Sequence, residues 1–227
     1  DNRIQIYQKI LERIHKKIKI TSRQNIDNQI CWYLIPEIEL GCPLYNKRAC
    51  LDYVLEKLID NGYNIVEEEI PILESYKKIP LWQFAAVECQ AEYFEAYTEK
   101  KHLIDPNILK RMDRANDVMA IEYKLLLKIR EDLIKEFNSF LKNNFLLMPT
   151  VTIKPPLLKK CDDQEFYDKV NLITLKNTSL ANYMNGCSLS LPYFINNEPI
   201  GIMINGSTNN DNNLLEIGSE FETILST

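Results

Sequence analysis

Side chains that commonly perform catalysis are few and scattered in this sequence. It holds two histidines, His15 and His102, and each stands beside a lysine, which is typical of solvated surface positions rather than of a catalytic triad. No serine lies in a Gly-x-Ser-x-Gly turn, and no lysine is placed between apolar residues and a serine. Residue types and spacing therefore identify no nucleophile and no general base.

Acidic residues and cysteines also fail to form a recognisable metal site. The glutamates Glu67, Glu68 and Glu69 alternate across a predicted strand, so at most two carboxylates share one face, which is typical of a polar rim. Asp162 and Asp163 precede a helical pattern and are predicted to cap that helix. We expect no metal and no cofactor.

The six cysteines show no Cys-x-x-Cys spacing. Free thiols in a reducing, cytoplasmic compartment are the simplest interpretation, with a disulfide framework as the alternative. The six are Cys31, Cys42, Cys50, Cys89, Cys161 and Cys187.

One loop has the position, but not the composition, of an anion-binding loop. Gly206, Ser207 and Thr208 precede a helical segment, where backbone N–H groups are able to bind an anion. The loop has one glycine and no lysine, unlike a phosphate-binding loop, so a plain turn is the preferred interpretation.

Composition excludes several classes of protein. With 227 residues, 45% hydrophobic and 26% charged, the chain has the makeup of an ordinary globular protein. The formal net charge of −5 argues against direct binding to nucleic acid. No apolar run approaches the roughly 20 residues needed to cross a bilayer, and the charged N-terminus does not resemble a signal peptide. The first residue is Asp rather than Met, which leaves open that a segment has been removed.

Hydrophobic periodicity predicts an α/β architecture. Five buried strands are predicted, at residues 30–35, 65–70, 145–148, 188–191 and 200–204, all in one sheet. The first two flank a helix closed by Gly62, which predicts a βαβ unit with a parallel pair. Further helices are predicted at residues 7–18, 80–101, from Pro106, 117–142 and 166–184. The fold class is therefore a single α/β domain over residues 1–227, with a mixed, largely parallel sheet and helices on both faces.

Two helical stripes support this architecture, and one of them contains a polar residue. In the helix of residues 117–142, the predicted buried face consists of Val118, Ile121, Leu125, Ile129, Leu133, Phe137 and Phe140. In the helix of residues 166–184, Asn177 interrupts the apolar stripe.

The order of motifs in the C-terminal half resembles the amidase signature family. An Asn is followed by a Gly-containing turn, a strand ending in proline, a Pro-x-Gly strand and a terminal helix. Here these are Asn182, Gly186 with Cys187, "SLSLP", Pro199-Ile200-Gly201 and "LLEIGSEFE". Upstream, "NFLLMPT" is similar to the family's strand ending in Pro-Thr, and the predicted βαβ unit to its central one. The resemblance runs in the right order from about residue 29 onwards.

The resemblance implies that the catalytic residues lie outside this sequence. The family uses a Ser–cis-Ser–Lys triad in a Gly/Ser-rich region, N-terminal to everything matched here. The chain thus resembles the C-terminal half of an amidase. We expect it to be inactive alone, to meet a small-molecule amide substrate and the missing N-terminal catalytic half as partners, and to bind neither nucleic acid nor membrane; a homo-oligomer is possible.

The resemblance also implies which residues line the substrate pocket. They are Thr150, Thr178 and Asn182, together with the turn formed by Asn185, Gly186 and Cys187. The alternative is that Thr178 and Asn182 merely satisfy backbone groups near a helix end.

Three functions are consistent with the sequence: a small-amide hydrolase, a glutamine-dependent amidotransferase A subunit, or a non-catalytic amidase-like binding or assembly protein. In the amidotransferase subfamily an Asp seven residues before the motif Asn holds the glutamine ammonium, and here that residue is Leu175. Arg111 is placed by the resemblance at that subfamily's carboxylate-binding arginine. Since Leu175 cannot hold a cation, the hydrolase ranks first.

Overall fold

A computed structural model describes residues 32–33, 47–66, 70–153, 155–195 and 198–226 of the chain. The predicted helix at residues 7–18, His15 and the three glutamates of residues 67–69 lie outside the described residues.

The described strands form one four-stranded sheet. They are β1 (Trp32–Tyr33), β2 (Phe145–Pro149), β3 (Cys187–Ile195) and β4 (Glu198–Gly206), in the spatial order β1-β2-β4-β3. Four of the five predicted strands are thus confirmed as members of one sheet. In the remaining segment, residues 65–70, Ile65 forms an isolated bridge and residues 67–69 are not described.

The prediction of a largely parallel sheet is wrong for the described strands. β1 pairs in parallel with β2, whereas β2 with β4 and β3 with β4 pair antiparallel. β3 and β4 are consecutive and two residues separate them in sequence, and such a short connection permits only an antiparallel pair. β1 has β2 as a parallel neighbour on one edge, and because residues 67–69 lie outside the described residues, the predicted βαβ pairing of residues 30–35 with 65–70 stays a prediction.

Eight α-helices surround this sheet in the described part of the chain. They are α1 (Lys47–Asp60), α2 (Pro71–Lys77), α3 (Leu81–Glu92), α4 (Phe94–Glu99), α5 (Pro106–Asp113), α6 (Ala120–Leu141), α7 (Gln164–Tyr183) and α8 (Asp211–Ser226). Short 3₁₀ turns cover Lys101–Leu103, Arg114–Asp117 and Leu158–Asp162. The single helix predicted for residues 80–101 is divided into α3 and α4 at Tyr93, whose ψ of 32° departs from helical geometry.

Local signals at the helix ends act as the sequence predicts. The Asp163 carboxylate accepts a hydrogen bond from the Phe166 N–H at 2.7 Å and caps α7. α5 begins at Pro106 as predicted, and Asp105, for which no cap was predicted, caps it in the same way. Gly62 follows α1 with a φ of +88°, a left-handed conformation that glycine adopts without strain.

The two faces of the sheet are covered by different helices. Because side chains alternate along a strand, neighbouring residues of β2 enter separate cores. On one face the buried side chains pack with α2, α3, α6 and α7; from the strands these are Leu146, Met148 and Met203. On the other face they pack with α1 and α8; from the strands these are Phe145, Leu147, Leu191, Ile202 and Ile204. Helices therefore flank both faces, as predicted.

The apolar stripe predicted for α6 is only partly buried. Leu133 and Phe137 lie in the core, but Ile121, Leu125 and Ile129 are 62%, 55% and 48% exposed. Each step of four residues advances about 40° around an α-helix, so a series spaced by four drifts away from the starting face. Ile121, Leu125 and Ile129 therefore point away from the sheet.

Candidate functional site

One face of the β3–β4 hairpin is covered on both strands, whereas on the other face β4 is buried and β3 is exposed. Ser190 pairs with Met203, and Met203 pairs with Met148, so these three side chains share a face of the sheet. Met203 and Met148 are buried under helices, but Ser188 and Ser190 are exposed. This open polar face is the surface of the sheet nearest to the predicted pocket residue Thr150.

The Thr150 side chain lies at the end of this open face. It follows β2 directly, its N–H donates to the Gly201 carbonyl at 2.8 Å, and its Oγ1 lies 2.5 Å from the Ser190 Oγ. Gly201 lies beside both hydroxyls: a Cβ at that position would stand 2.5 Å from the Thr150 Oγ1 and 3.0 Å from the Ser190 Oγ. Glycine in the Pro-x-Gly strand is therefore what lets the two hydroxyls meet.

α7 is attached to the same end of β2 through Asn177. The Asn177 Nδ2 donates to the Pro149 carbonyl at 2.6 Å, which explains why this polar residue interrupts the apolar stripe of the helix. Thr178, next in sequence, is half-buried and its hydroxyl donates to the Leu175 carbonyl at 3.1 Å. The structure therefore brings the predicted residues Thr150 and Thr178 to the same region.

The exposed side of α7 continues from Thr178 to Asn182. At 100° per residue, Leu172, Leu175, Thr178, Ser179 and Asn182 all lie on the side of α7 opposite its core residues. Leu172 and Leu175 are exposed apolar side chains, whereas the far end of this side is polar.

A groove of about 240 Å³ opens at the end of α7. It is lined by Leu81, Phe84, Ala85, Glu88, Arg130, Ser179, Asn182 and Tyr183. Of the residues predicted for the pocket, Asn182 is the one that lines this groove.

Arg130 fixes the end of α7 beside the groove. Its Nε donates to the Tyr183 carbonyl at 2.9 Å and its Nη2 donates to the Asn182 carbonyl at 3.0 Å. These are carbonyls of the last helical turn, where the regular intrahelical donors run out; the Asn182 carbonyl also accepts from the Asn185 N–H at 3.3 Å. The guanidinium also lies 5.7 Å from the ring centroids of Phe84 and Tyr183.

Two tyrosines near the groove remain neutral far above neutral pH. Burial raises the pKa of Tyr183 to about 12, with Arg130 acting weakly in the opposite direction. Burial, followed by the hydrogen bond to Glu88, raises the pKa of Tyr123 to about 12. Among the described residues, the buried hydroxyls of Tyr76 and Tyr183 have no hydrogen-bond partner.

The turn of Asn185, Gly186 and Cys187 lies at the opposite end of the strands from Thr150. Cys187 pairs with Gly206, whereas Thr150 follows Pro149, which pairs with Ile202 four residues away along β4. The structure therefore does not bring this turn to Thr150.

Internal hydrogen bonds occupy this turn. The Thr208 hydroxyl donates to the Asn185 carbonyl at 2.8 Å, and the Cys187 thiol donates to the Ser207 carbonyl at 3.4 Å. A Cβ on Gly186 would stand 2.7 Å from the Gly206 carbonyl oxygen, so the turn is closely packed. Burial raises the pKa of the Cys187 thiol. These contacts connect the turn to the loop of Ser207 and Thr208, which is a structural role.

Arg111 lies on α5, near the opposite end of α7 from Asn182. Its neighbours Asn107 and Lys110 contact Gln164 and Asp168 in the first turns of α7, at 3.1 and 3.5 Å. Asn182 stands about 20 Å farther along that helix, at 1.5 Å per residue. Arg111 and Asn182 therefore do not share a pocket.

Two residues of the site escape sequence reasoning for different reasons. Ser190 carries a usable signal, because the alternation in "SLSLP" places its side chain opposite the leucines. Arg130 carries none, since nothing in the spacing of α6 separates it from the other charged residues of that helix.

The assembled groups are hydrogen-bond donors rather than a nucleophile and its base. The Thr150 and Ser190 hydroxyls bond to each other, and His102 lies in an exposed 3₁₀ turn. No cluster of three or more His, Cys, Asp or Glu suited to a metal ion occurs among the described residues. Within the same residues, no helix has the length and apolarity to cross a bilayer. Such a site is able to hold and orient a carbonyl group.

Two family models match the sequence. Residues 44–215 match the family described as Amidase. Residues 1–59 match a family of unknown function (DUF5759), which overlaps the first match at residues 44–59. The expectation of a single domain over residues 1–227 stays a prediction.

Known proteins similar to this chain are longer than it. A 2-amino-5-chloromuconic acid deaminase of Comamonas testosteroni is 24% identical over 184 residues, which are 78% of this chain and 39% of that protein. The structure of Kluyveromyces lactis allophanate hydrolase superposes with a TM-score of 0.70 at 18% identity, over 88% of this chain and 33% of the other. The A subunit of the Thermotoga maritima glutamyl-tRNA(Gln) amidotransferase superposes with a TM-score of 0.57 at 16% identity, over 85% and 40%. The chain thus spans two fifths or less of each of these proteins, and the structural likeness concerns the fold.

Proposed function

The chain belongs to the amidase family, and from this premise we propose that it forms the C-terminal part of an enzyme that hydrolyses a carbon–nitrogen bond of a small amide. The observation that carries the proposal is the hydroxyl pair of Thr150 and Ser190 on an open face of the sheet, 2.5 Å apart. Open polar positions at strand ends are where α/β proteins bind ligands. The family match supplies the reaction class.

We assign the nucleophile and the base to residues outside this sequence. Amide hydrolysis requires an activated nucleophile and donors to the developing oxyanion. Neither the Thr150 nor the Ser190 hydroxyl has a general base bonded to it among the described residues. These hydroxyls therefore act as donors that position the amide, while the open face receives the catalytic part of the fold.

The exposed side of α7 supports an uncharged substrate. Leu172 and Leu175 precede the polar positions Thr178, Ser179 and Asn182 along that side. An apolar wall favours a hydrocarbon group and gives no binding energy to an ammonium group. A neutral amide with an apolar substituent fits this wall better than glutamine does.

The second candidate is an amidotransferase A subunit, supported by the fold likeness to the Thermotoga maritima protein and by the position of Arg111. Arg111 stands near the first turns of α7, closer along that helix to Leu175 than to Asn182. Leu175 argues against it, because the side chain is apolar and 47% exposed. Glutaminase activity that disappears in Arg111→Ala would favour this candidate over the hydrolase.

A fluorophosphonate probe and a panel of small amides test the proposal. Residues 1–227 alone are expected to remain unlabelled and to hydrolyse no amide. The same residues joined to, or mixed with, the catalytic part of an amidase domain are expected to hydrolyse amides, with the labelled serine outside 1–227. Labelling of a serine within 1–227 would contradict the assignment of the nucleophile. Failure to label any assembled form would favour a non-catalytic binding or assembly protein.

A further inference from the structure

The groove between α3, α6 and the end of α7 has a positive group, a negative group and an apolar wall. We propose that it binds a small molecule carrying a carboxylate and an ammonium group on an apolar backbone. Arg130 receives the carboxylate and Glu88 the ammonium group. This inference does not rest on the proposed hydrolysis, because it concerns binding alone.

Arg130 offers a rigid, incompletely used donor group. A guanidinium has five N–H donors, and the bonds to the Tyr183 and Asn182 carbonyls occupy two of them. Among the described residues no carboxylate lies within 4.0 Å of it. The bonds to the end of α7 and the rings of Phe84 and Tyr183 hold the group in place. The remaining donors suit a carboxylate, which guanidinium groups bind with two parallel hydrogen bonds.

Glu88 supplies the opposite charge. Its Oε1 accepts a hydrogen bond from the Tyr123 hydroxyl at 3.1 Å. A carboxylate has about four lone-pair positions, so further acceptor positions remain. No cationic side chain forms an ion pair with Glu88 within the described part of the chain. An ammonium group with three donors complements this carboxylate.

The two charges are separated along the groove. Glu88 bonds to the Tyr123 hydroxyl, and the backbone position of Arg130 lies about two turns, or about 10 Å, beyond that of Tyr123 along α6. Phe84 lies between them, with its ring centroid 5.7 Å from that of Tyr123 and 5.7 Å from the Arg130 guanidinium carbon. A ligand that reaches both charges must therefore carry its own charged groups at its two ends.

The wall between the charges is apolar and the volume is small. Leu81, Phe84 and Ala85 form this wall on α3. A volume of about 240 Å³ corresponds to about eight water molecules at ~30 Å³ each. The ligand is thus a short chain of a few methylene groups. A molecule with only one charge would leave the other charge of the groove without a partner, which provides selectivity.

Ligand-detected NMR titration of the full 227-residue chain tests the site. The probes are 5-aminopentanoate, pentanoate and pentylamine, which share the apolar chain and differ in their charged ends. We expect saturable binding of 5-aminopentanoate, about 10-fold tighter than that of either other probe, as the loss of one charge-assisted hydrogen bond implies. Equal binding of the three probes, or no binding of 5-aminopentanoate, would overturn the proposal.

Substitutions on α3 locate the ligand. Ala85 is an exposed residue of the groove lining, so Ala85→Leu fills the groove and is expected to abolish binding. Ala91 is also exposed on α3 but lies outside the lining, so Ala91→Leu is expected to leave binding unchanged. Undiminished binding in Ala85→Leu would place the ligand elsewhere and reject the site. Equal thermal midpoints for the two variants verify that both are folded.

A second pair of variants separates the two ends of the ligand. Glu88→Gln keeps an acceptor for the Tyr123 hydroxyl but removes the charge. This substitution is expected to weaken the binding of 5-aminopentanoate about 10-fold and to leave the binding of pentanoate unchanged. Glu92→Gln, exposed one turn further along α3, is the control. Equal weakening of pentanoate by Glu88→Gln would show that Glu88 does not meet the ammonium group.

Discussion

The two faces of the β3–β4 hairpin differ in how β3 is covered, although β3 is one alternating sequence and β4 is buried on both faces. On one face Leu191, Ile202 and Ile204 are buried beneath α1 and α8, and Gly218 of α8 approaches Leu189 so closely that a Cβ there would collide with it. On the other face Ser188 and Ser190 are exposed. The difference shows that hairpin pairing does not determine coverage; the helices that pack on each face do. The exposed serines of β3 are the positions at which the proposed function places the substrate.

The largest effect is expected on the covered face. Leu191→Ala and Ile202→Ala each remove a buried side chain from a cross-strand pair, since Leu191 pairs with Ile202. Each is expected to lower the free energy of unfolding by about 2–5 kcal/mol. Urea unfolding monitored by circular dichroism measures this loss. Unchanged unfolding midpoints in both variants would show that this face is not a core.

A smaller loss in the free energy of unfolding is expected where the loop after β4 is bonded to α6. The Asn138 Oδ1 accepts from the Thr208 N–H at 2.9 Å, and its Nδ2 donates to the Thr208 hydroxyl at 3.1 Å. Asn138→Ala leaves the part-buried Thr208 N–H without this partner and is expected to cost about 1–3 kcal/mol. Asn143→Ala, at an exposed position nearby, is the control. Equal urea midpoints for the two variants would mean that this connection contributes no stability.

On the open face, stability and activity are expected to separate. Ser190→Ala removes one exposed hydroxyl and should change the free energy of unfolding by less than about 1 kcal/mol. If the face positions an amide, kcat/KM of the assembled enzyme should fall about 10-fold, as loss of one substrate hydrogen bond implies. Ser188→Ala on the same strand is the control. Unchanged kcat/KM in Ser190→Ala would remove this face from the substrate pocket.

The smallest effect on stability at neutral pH is expected for Tyr183 of α7, the helix that covers part of this face. Burial raises the pKa of Tyr183 to about 12, so its neutral form is favoured in the folded state. Its contribution to stability is complete below pH 10, the ordinary tyrosine pKa, and is lost as the pH rises through about 12. Thermal midpoints measured between about pH 8 and pH 12 should fall less steeply for Tyr183→Phe than for the parent chain.

At neutral pH, Tyr183→Phe should change stability by no more than about 1 kcal/mol, because the hydroxyl has no partner among the described residues. Tyr93→Phe, at an exposed position, is the control. Identical pH profiles for Tyr183→Phe and the parent chain would show that this phenol does not titrate as its burial requires.

Periodicity predicted the local elements more successfully than their arrangement. The strands at residues 145–148, 188–191 and 200–204, the caps at Asp163 and Gly62, and helices on both faces were all predictable, because alternation and capping are properties of neighbouring residues. The sheet was expected to be largely parallel, because burial of both faces is a feature of parallel sheets. Here the short connection between β3 and β4 imposes an antiparallel pair that is also buried over part of its surface.

The sequence by itself determined the family, the placement of Leu191 and Ser190 on opposite faces of one strand, and the lack of a recognisable nucleophile–base pair. Only the tertiary structure decided which polar residues meet. Thr150 reaches Ser190, forty residues away, because β4 contributes a glycine beside them, and Arg130 of α6 bonds to the end of α7. Contacts of this kind depend on strand register and helix packing, which arise from the whole core rather than from neighbouring residues.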